Sequence, residues 1–465
     1  MKDTRIFHTI NRLTFGSTPG LIQQVKKIGE EAYIQSQLTP ASIATPDSLT
    51  NQLQSLDTLN LTPGQLYKQQ HRLNEEAKQL KLDAKTKQKI RGDFEQKIRS
   101  QAEKARLLRA YESPRQLEEV MVDFWYNHFN VNALQGGQIR LYFSAYEQQA
   151  IRPHVLGKFR RLLGATAKHP AMLIYLDNWQ NTAPGSPQAK GRFKGLNENY
   201  ARELLELHTL GVDGGYSQAD IISLARIFTG WGVPRPSGKR IEDEDGFYFE
   251  SDRHDFEDKV FLGHQIKGRG IEEGEEALDI LARHPSTARY ISYKLAREFV
   301  VDNPPESLIK KMADKFLETE GEIRLVLKTL FSSSEFWNPD VYQGKFKTPY
   351  RYIVSVMRAV GEVSNFNSAT GLLRQLGMPL YGCPSPDGYK NTQDAWLNPD
   401  TMIRRSSLAV QLSKGLFQDR KPVDSQKLIE TLGDNFSENT REVINKSSPD
   451  LKAALILGSP DFMKY

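Results

Sequence analysis

The chain has 465 residues, with 62 Lys and Arg against 57 Asp and Glu and a formal net charge of +5. Hydrophobic residues make up 38% and aromatics 10%, enough for a sizeable core and too much for wholesale disorder. A single cysteine, Cys383, excludes an intramolecular disulfide and a Cys-based zinc cluster, and no 18-residue apolar run is present, so no membrane span is expected.

The first twenty residues, MKDTRIFHTINRLTFGSTPG, lack the apolar stretch of a secretory signal. As written the chain is expected in the cytoplasm, or outside it if a native leader has been removed. Over 19–38, Leu21, Ile22, Val25, Ile28, Tyr33 and Ile34 recur at three- and four-residue spacings and predict a one-sided helix pair. Residues 39–62, rich in Ser, Thr and Pro, read as a loop carrying one short helix.

Residues 65–111 hold almost no Gly or Pro and few apolar positions, which predicts a helical hairpin projecting from the body. Between Tyr67 and Ala110 there are 13 Lys and Arg and six acids, an excess of +7 that leaves the remaining chain at −2. Such an arm can hold a protein partner or an anionic polymer. It lacks interleaved aromatics, so nucleic acid is not expected.

Residues 114–133 form a helix with an aromatic face, and 150–176 form two helices split near His169-Pro170. Asn181–Gly195 is a loop by composition. Strands are predicted at 246–251 and 259–262, paired as one small hairpin. Helices resume over 272–332 and 349–361, and the Pro- and Gly-rich loop 377–399 leads to C-terminal helices. The expected fold is all-α, mainly helical with one small β-hairpin. Four parts are expected: 1–64 as N-terminal helices and loop, 65–113 as the basic hairpin, 114–345 as a central core carrying the site, and 346–465 as C-terminal helices.

The segment NENYARELLELHTL (197–210) is the richest in chemistry. On a wheel of 100° per residue, Glu198, Asn199, Arg202, Glu203 and Glu206 share one stripe opposite a wide apolar arc. Adjacent carboxylates raise one another's pKa, which suits general acid catalysis, or they share a cation. The plain alternative is an ion-pair ladder centred on Arg202. His208 falls in the apolar arc and reads as a core histidine. In YSQADIISLARIFTGW (216–231), Ser217 and Asp220 predict a capping box, and Gly230 a helix stop.

His254-Asp255, with Lys259 behind it, places an imidazole and a carboxylate on a connection where they can orient each other. His284-Pro285-Ser286-Thr287 opens a helix carrying Arg289, Lys294 and Arg297, an anion-receptive start whose plain alternative is simple capping. Asn127 and His128 lie beside Trp125, and amides next to aromatics suit sugar rings, although core packing is the commoner use of Trp. The expected catalytic set is therefore Glu198, Glu203, Glu206, His254 and Asp255. The expected substrate-binding set is Asn127, His128, Asn199, Arg202, Lys259, His284 and Thr287.

No phosphate-binding glycine loop, H-E-x-x-H or G-x-S-x-G is present, and no cofactor is identified. A divalent metal held by Glu203, Glu206 and a distant His stays open.

The blocks NRLTFGSTP (11–19), FWYNHFNV (124–131), PAMLIYLDN (170–178) and NENYARELLELHTLGV (197–212) run in order along the chain. They continue through YSQADIISLARIFTGW (216–231), HDFEDKVFLG (254–263), HPSTARYISYKLAREFV (284–300) and WLNPDTMIRR (396–405). In these blocks the chain resembles the bacterial domain of unknown function 1800 family. The resemblance implies a bacterial, predominantly helical protein whose relatives are often exported and encoded beside sulfatase-like partners, and it supplies no activity. The leading expectation is a hydrolase or transferase acting on an anionic or carbohydrate-type polymer. The alternative is a non-catalytic interaction protein whose basic arm binds a partner.

Overall fold

Capping chemistry sets many of the helix starts. The Thr62 hydroxyl accepts the Gln65 amide, and the Gln65 side chain returns to the Thr62 N–H, opening Pro63–Gln79. Asp83 accepts from the Thr86 amide and opens Ala84–Glu112, a helix of 29 residues. Ser217 and Asp220 form the reciprocal pair that opens Gln218–Ile227. His284 caps Pro285–Phe299 by accepting the Ser286 amide on Nδ1. The computed structural model describes residues 2–191, 193, 195–233, 245–433 and 435–465, and it is mainly α-helical.

The apolar core is continuous from Leu13 to Met463. Trp125 is wholly inside it, its indole N–H donating to the Val155 carbonyl at 3.0 Å, so this ring packs and does not present a face for a sugar. The helical hairpin is present, and its two halves differ. Buried residues of Ala84–Glu112 begin at Glu95 and run to Ala110, whereas none of residues 78–94 is buried. The base of the arm belongs to the core and the tip stands in solvent. Among the described residues no helix is long and apolar enough to cross a membrane.

The strands pair differently from the expected hairpin. Trp231–Gly232 pairs with Tyr248–Phe249, and Lys259–Phe261 pairs with His264–Ile266, both antiparallel. A short turn at Ser251–Arg253 and the buried His254 carry the chain inward between the two predicted strands. Leu262 and Gly263, with φ of 47° and 79°, then return the second strand on itself in two residues. A leucine at a left-handed position hides that turn from sequence reading.

Gly230 ends its helix at φ 79°, where a Cβ would meet the Glu250 carbonyl oxygen at 2.5 Å. Gly230→Ala is expected to destabilise the fold by roughly 1–3 kcal/mol, from the left-handed backbone and the clash together, read as a lower denaturation midpoint.

Candidate functional site

The carboxylate stripe folds as a ladder interrupted by a change of helix type. Asn199–Glu203 is α-helical and Leu204–Thr209 is a π-helix, closed by the Leu210 amide on the Leu205 carbonyl and by the Thr209 hydroxyl on the Leu204 carbonyl. Arg202 lies 3.3 Å from Glu198 and 3.5 Å from Glu206. Burial and the neighbouring Glu206 raise the Glu203 carboxyl above its ordinary range, and the Asp387 charge raises it further. Asn199 is used structurally, donating to the Leu176 carbonyl.

His254 and Asp255 do not orient each other. The His254 ring, fully buried, meets Glu273 at 2.9 Å through Nε2 and donates from Nδ1 to the Thr229 carbonyl at 2.8 Å. Lys259, also fully buried, reaches Glu273 at 2.6 Å. Asp255 turns away to Arg226 at 2.6 Å. Glu273 also accepts the Arg269 and Gly270 amides, so this cluster joins a helix start to a strand. His284 is occupied by capping, and Thr287 is buried. Among the described residues no three His, Cys, Asp or Glu come together as a metal site would need.

Asn127 and His128 lie elsewhere, on the wall of a cleft of about 280 Å³. The Gln116–His128 helix supplies Asp123, Asn127 and His128, the Pro285–Phe299 helix supplies Tyr290, Lys294, Arg297 and Glu298, and Arg351 comes from Pro349–Val360. The loop after residue 377 adds Asp387, Tyr389 and Lys390. Asn127 pins that loop, donating to the Tyr389 carbonyl at 2.9 Å and accepting the Tyr389 amide at 2.7 Å. Gly388 permits this approach, since a Cβ there would meet the Asn127 carbonyl oxygen at 2.2 Å.

The charges of the cleft do not cancel. Asp123 is held by Arg106 at 2.5 Å, Glu298 by Arg351 at 3.6 Å, and Asp387 by Lys390. That leaves Lys294 and Arg297 with no carboxylate partner among the described residues. Lys294 is half-buried with its ammonium 5.6 Å from the Tyr290 ring centre, and Arg297 donates to the Tyr293 hydroxyl. They stand three residues apart on one helix, so they share a face. Burial, with Arg297 adding to it, holds the Lys294 amine at about 8, below the ordinary lysine range.

Under the cleft lies a buried ionic chain. Arg106 contacts Glu147 at 3.1 Å as well as Asp123, and three tyrosine rings, of Tyr126, Tyr350 and Tyr381, surround its guanidinium at 5.1–5.4 Å. Arg152 and the Tyr381 hydroxyl complete Glu147. The two carboxylates sharing Arg106 diverge. Burial raises Asp123 in spite of Arg106, whereas Glu147, also penalised by burial, is drawn below its range by Arg106 and Arg152. Burial likewise keeps His128 neutral. Its Nε2–H donates to the His208 carbonyl at 3.1 Å, leaving Nδ1 with a free lone pair and no partner among the described residues.

A proton donor above its ordinary carboxyl range, an amine near neutrality and an unpaired guanidinium around one cleft can bind an anion and move a proton beside it. Asp123, Arg351 and Asp387 are not separable from structural charges in sequence. Lys294 and Arg297 show in the sequence as two cations one turn apart, but Glu298 stands four residues on from Lys294 at ion-pair spacing, and only the structure shows it taken by Arg351. No curated protein and no solved structure matches the chain. Residues 8–464 match the family described as Protein of unknown function (DUF1800), and the chain belongs to that family.

Proposed function

We propose that the cleft is the active site of an enzyme acting on a small anionic group, a terminal unit or substituent of a larger substrate included. Arg297 holds the anion throughout, Lys294 adds to that hold while it is protonated and serves as base once it has lost its proton, and Asp123 serves as acid. The observation that carries this reading is the pair of uncompensated cations on the wall of a cleft in which every acid is already paired. Hydrolysis and group transfer suit it, since both need a base for the attacking water or hydroxyl and an acid for the leaving group. Asn127 positions the loop bearing Asp387 and Lys390. Of the 197–210 segment only Leu207 lines the cleft, and His254 and Asp255 do not line it.

The test is calorimetric titration of the full chain with inorganic phosphate, a phosphomonoester and a dicarboxylate, repeated with Lys294→Met and Arg297→Met. Binding of at least one probe is expected, weakened about tenfold or more by either substitution, as for loss of a charge-assisted hydrogen bond. A wild-type chain that binds none of them, or binding indifferent to both substitutions, contradicts the reading.

A pH dependence follows from the same lysine. Its folded pKa is depressed, so the charged amine costs stability fully below about 8, and the cost is relieved as pH rises toward the unfolded value near 10.5. Lys294→Met is expected to be more stable than the wild type at pH 7 in denaturant unfolding, with the advantage fading between those two values.

A further inference from the structure

The arm's basic surplus sits at its free end. Arg99 and Arg106 pair with Glu103, Asp123 and Glu147 at the base, and Lys78, Arg91 and Lys97 pair with Glu75, Glu95 and Asp57. Lys81, Lys85, Lys87 and Lys89 have no carboxylate partner among the described residues, and the nearby Asp83 is engaged in capping Thr86. Lys85 and Lys89 are four residues apart on a helix, a like-charge spacing that works against the helix they stand on. At the apex Leu80 is 71% exposed, the most exposed large hydrophobic side chain among the described residues. It directly precedes Lys81, whose φ of 51° makes the turn. None of residues 78–94 is buried, so cations and leucine project together, away from the body.

We propose that this tip docks on an anionic lipid surface, Leu80 entering the headgroup region while the four lysines meet the lipid charges. The pairing of an aliphatic apex with a collar of unpaired lysines separates this partner from a nucleic acid. A base needs an aromatic or guanidinium plane to stack on; residues 72–93 contain no aromatic side chain, and their two arginines, Arg72 and Arg91, are paired with Glu76 and Glu95. The cleft has no part in the argument.

The experiment is co-sedimentation of the full chain with vesicles of about 30 mol% phosphatidylserine in phosphatidylcholine, and with phosphatidylcholine alone, at about 0.1 M salt. Binding is expected to the anionic vesicles only and to weaken as salt rises. Lys85→Gln with Lys89→Gln should lower the partition coefficient roughly 30-fold, and Leu80→Gln about tenfold. All three positions are exposed, so unchanged circular dichroism and melting show that the variants fold. Absence of binding, or equal binding to neutral vesicles, overturns the proposal. So does a Leu80→Gln variant that binds vesicles, duplex DNA and heparin as the wild type does, which would mark a site for polyanions in general.

Discussion

Arg106→Met is expected to lower the unfolding free energy by about 3–5 kcal/mol, the usual cost of leaving buried charge without its partner. Arg106 is 5% exposed and is shared by Glu147, fully buried, and Asp123. Removing it strands two carboxylates, of which only Glu147 retains another cation, Arg152. The check is urea unfolding at neutral pH. Arg106→Met combined with Glu147→Leu should recover part of the loss, because an apolar pair of similar volume replaces an ion pair at little cost. If the double variant is as unstable as the sum of its parts, the penalty comes from packing and not from stranded charge.

Glu273→Ala is the second large effect, again about 3–5 kcal/mol, since both Lys259 and His254 lose a fully buried partner. Burial opposes the ionised Glu273, but hydrogen bonds from His254 and Lys259 outweigh it and hold the carboxyl below its ordinary range. A depressed carboxyl contributes stability that is present above its unfolded value and lost as pH falls through the folded one. The gap between wild type and variant should therefore narrow only on acidification below the ordinary carboxylate range. A small gap at pH 7 would show that the cluster does not hold the strand to its helix and would reopen His254 as a free chemical group.

Local chemistry was largely legible. The Ser217–Asp220 capping box, the Gly230 stop and the helical hairpin follow from residues a few positions apart, and the structure has them where that spacing puts them. The 197–210 wheel reads correctly in placing Glu198 and Glu206 on either side of Arg202. Beyond Leu204 the π-helix changes the period, and no residue pattern announces it. The partner of Lys259–Phe261 is hidden from the sequence because a leucine occupies a turn position that usually takes Asn, Asp or Gly.

The cleft was legible only in fragments. Asn127 and His128 stood out beside Trp125, and Lys294 and Arg297 stood out behind the His284 cap, yet nothing joined the two pairs. They meet because Asn127 fastens a loop 262 residues away over the Pro285–Phe299 helix. Asp123 and Arg106 carried no signal, since a lone acid on an aromatic helix and one arginine among thirteen cations look like surface residues. Their burial is a property of tertiary packing, and burial is what shifts their chemistry.

The proposed role of the cleft depends on the charge state of the Lys294 amine. A pH titration of the full chain labelled at the lysine ε-carbon, with the Lys294 resonance assigned by its disappearance in Lys294→Met, reads that state directly. The midpoint is predicted at about 8, moving upward when an anionic probe binds. A midpoint at the ordinary value near 10.5 would mean a solvated surface lysine, and the proposed site would fall with it.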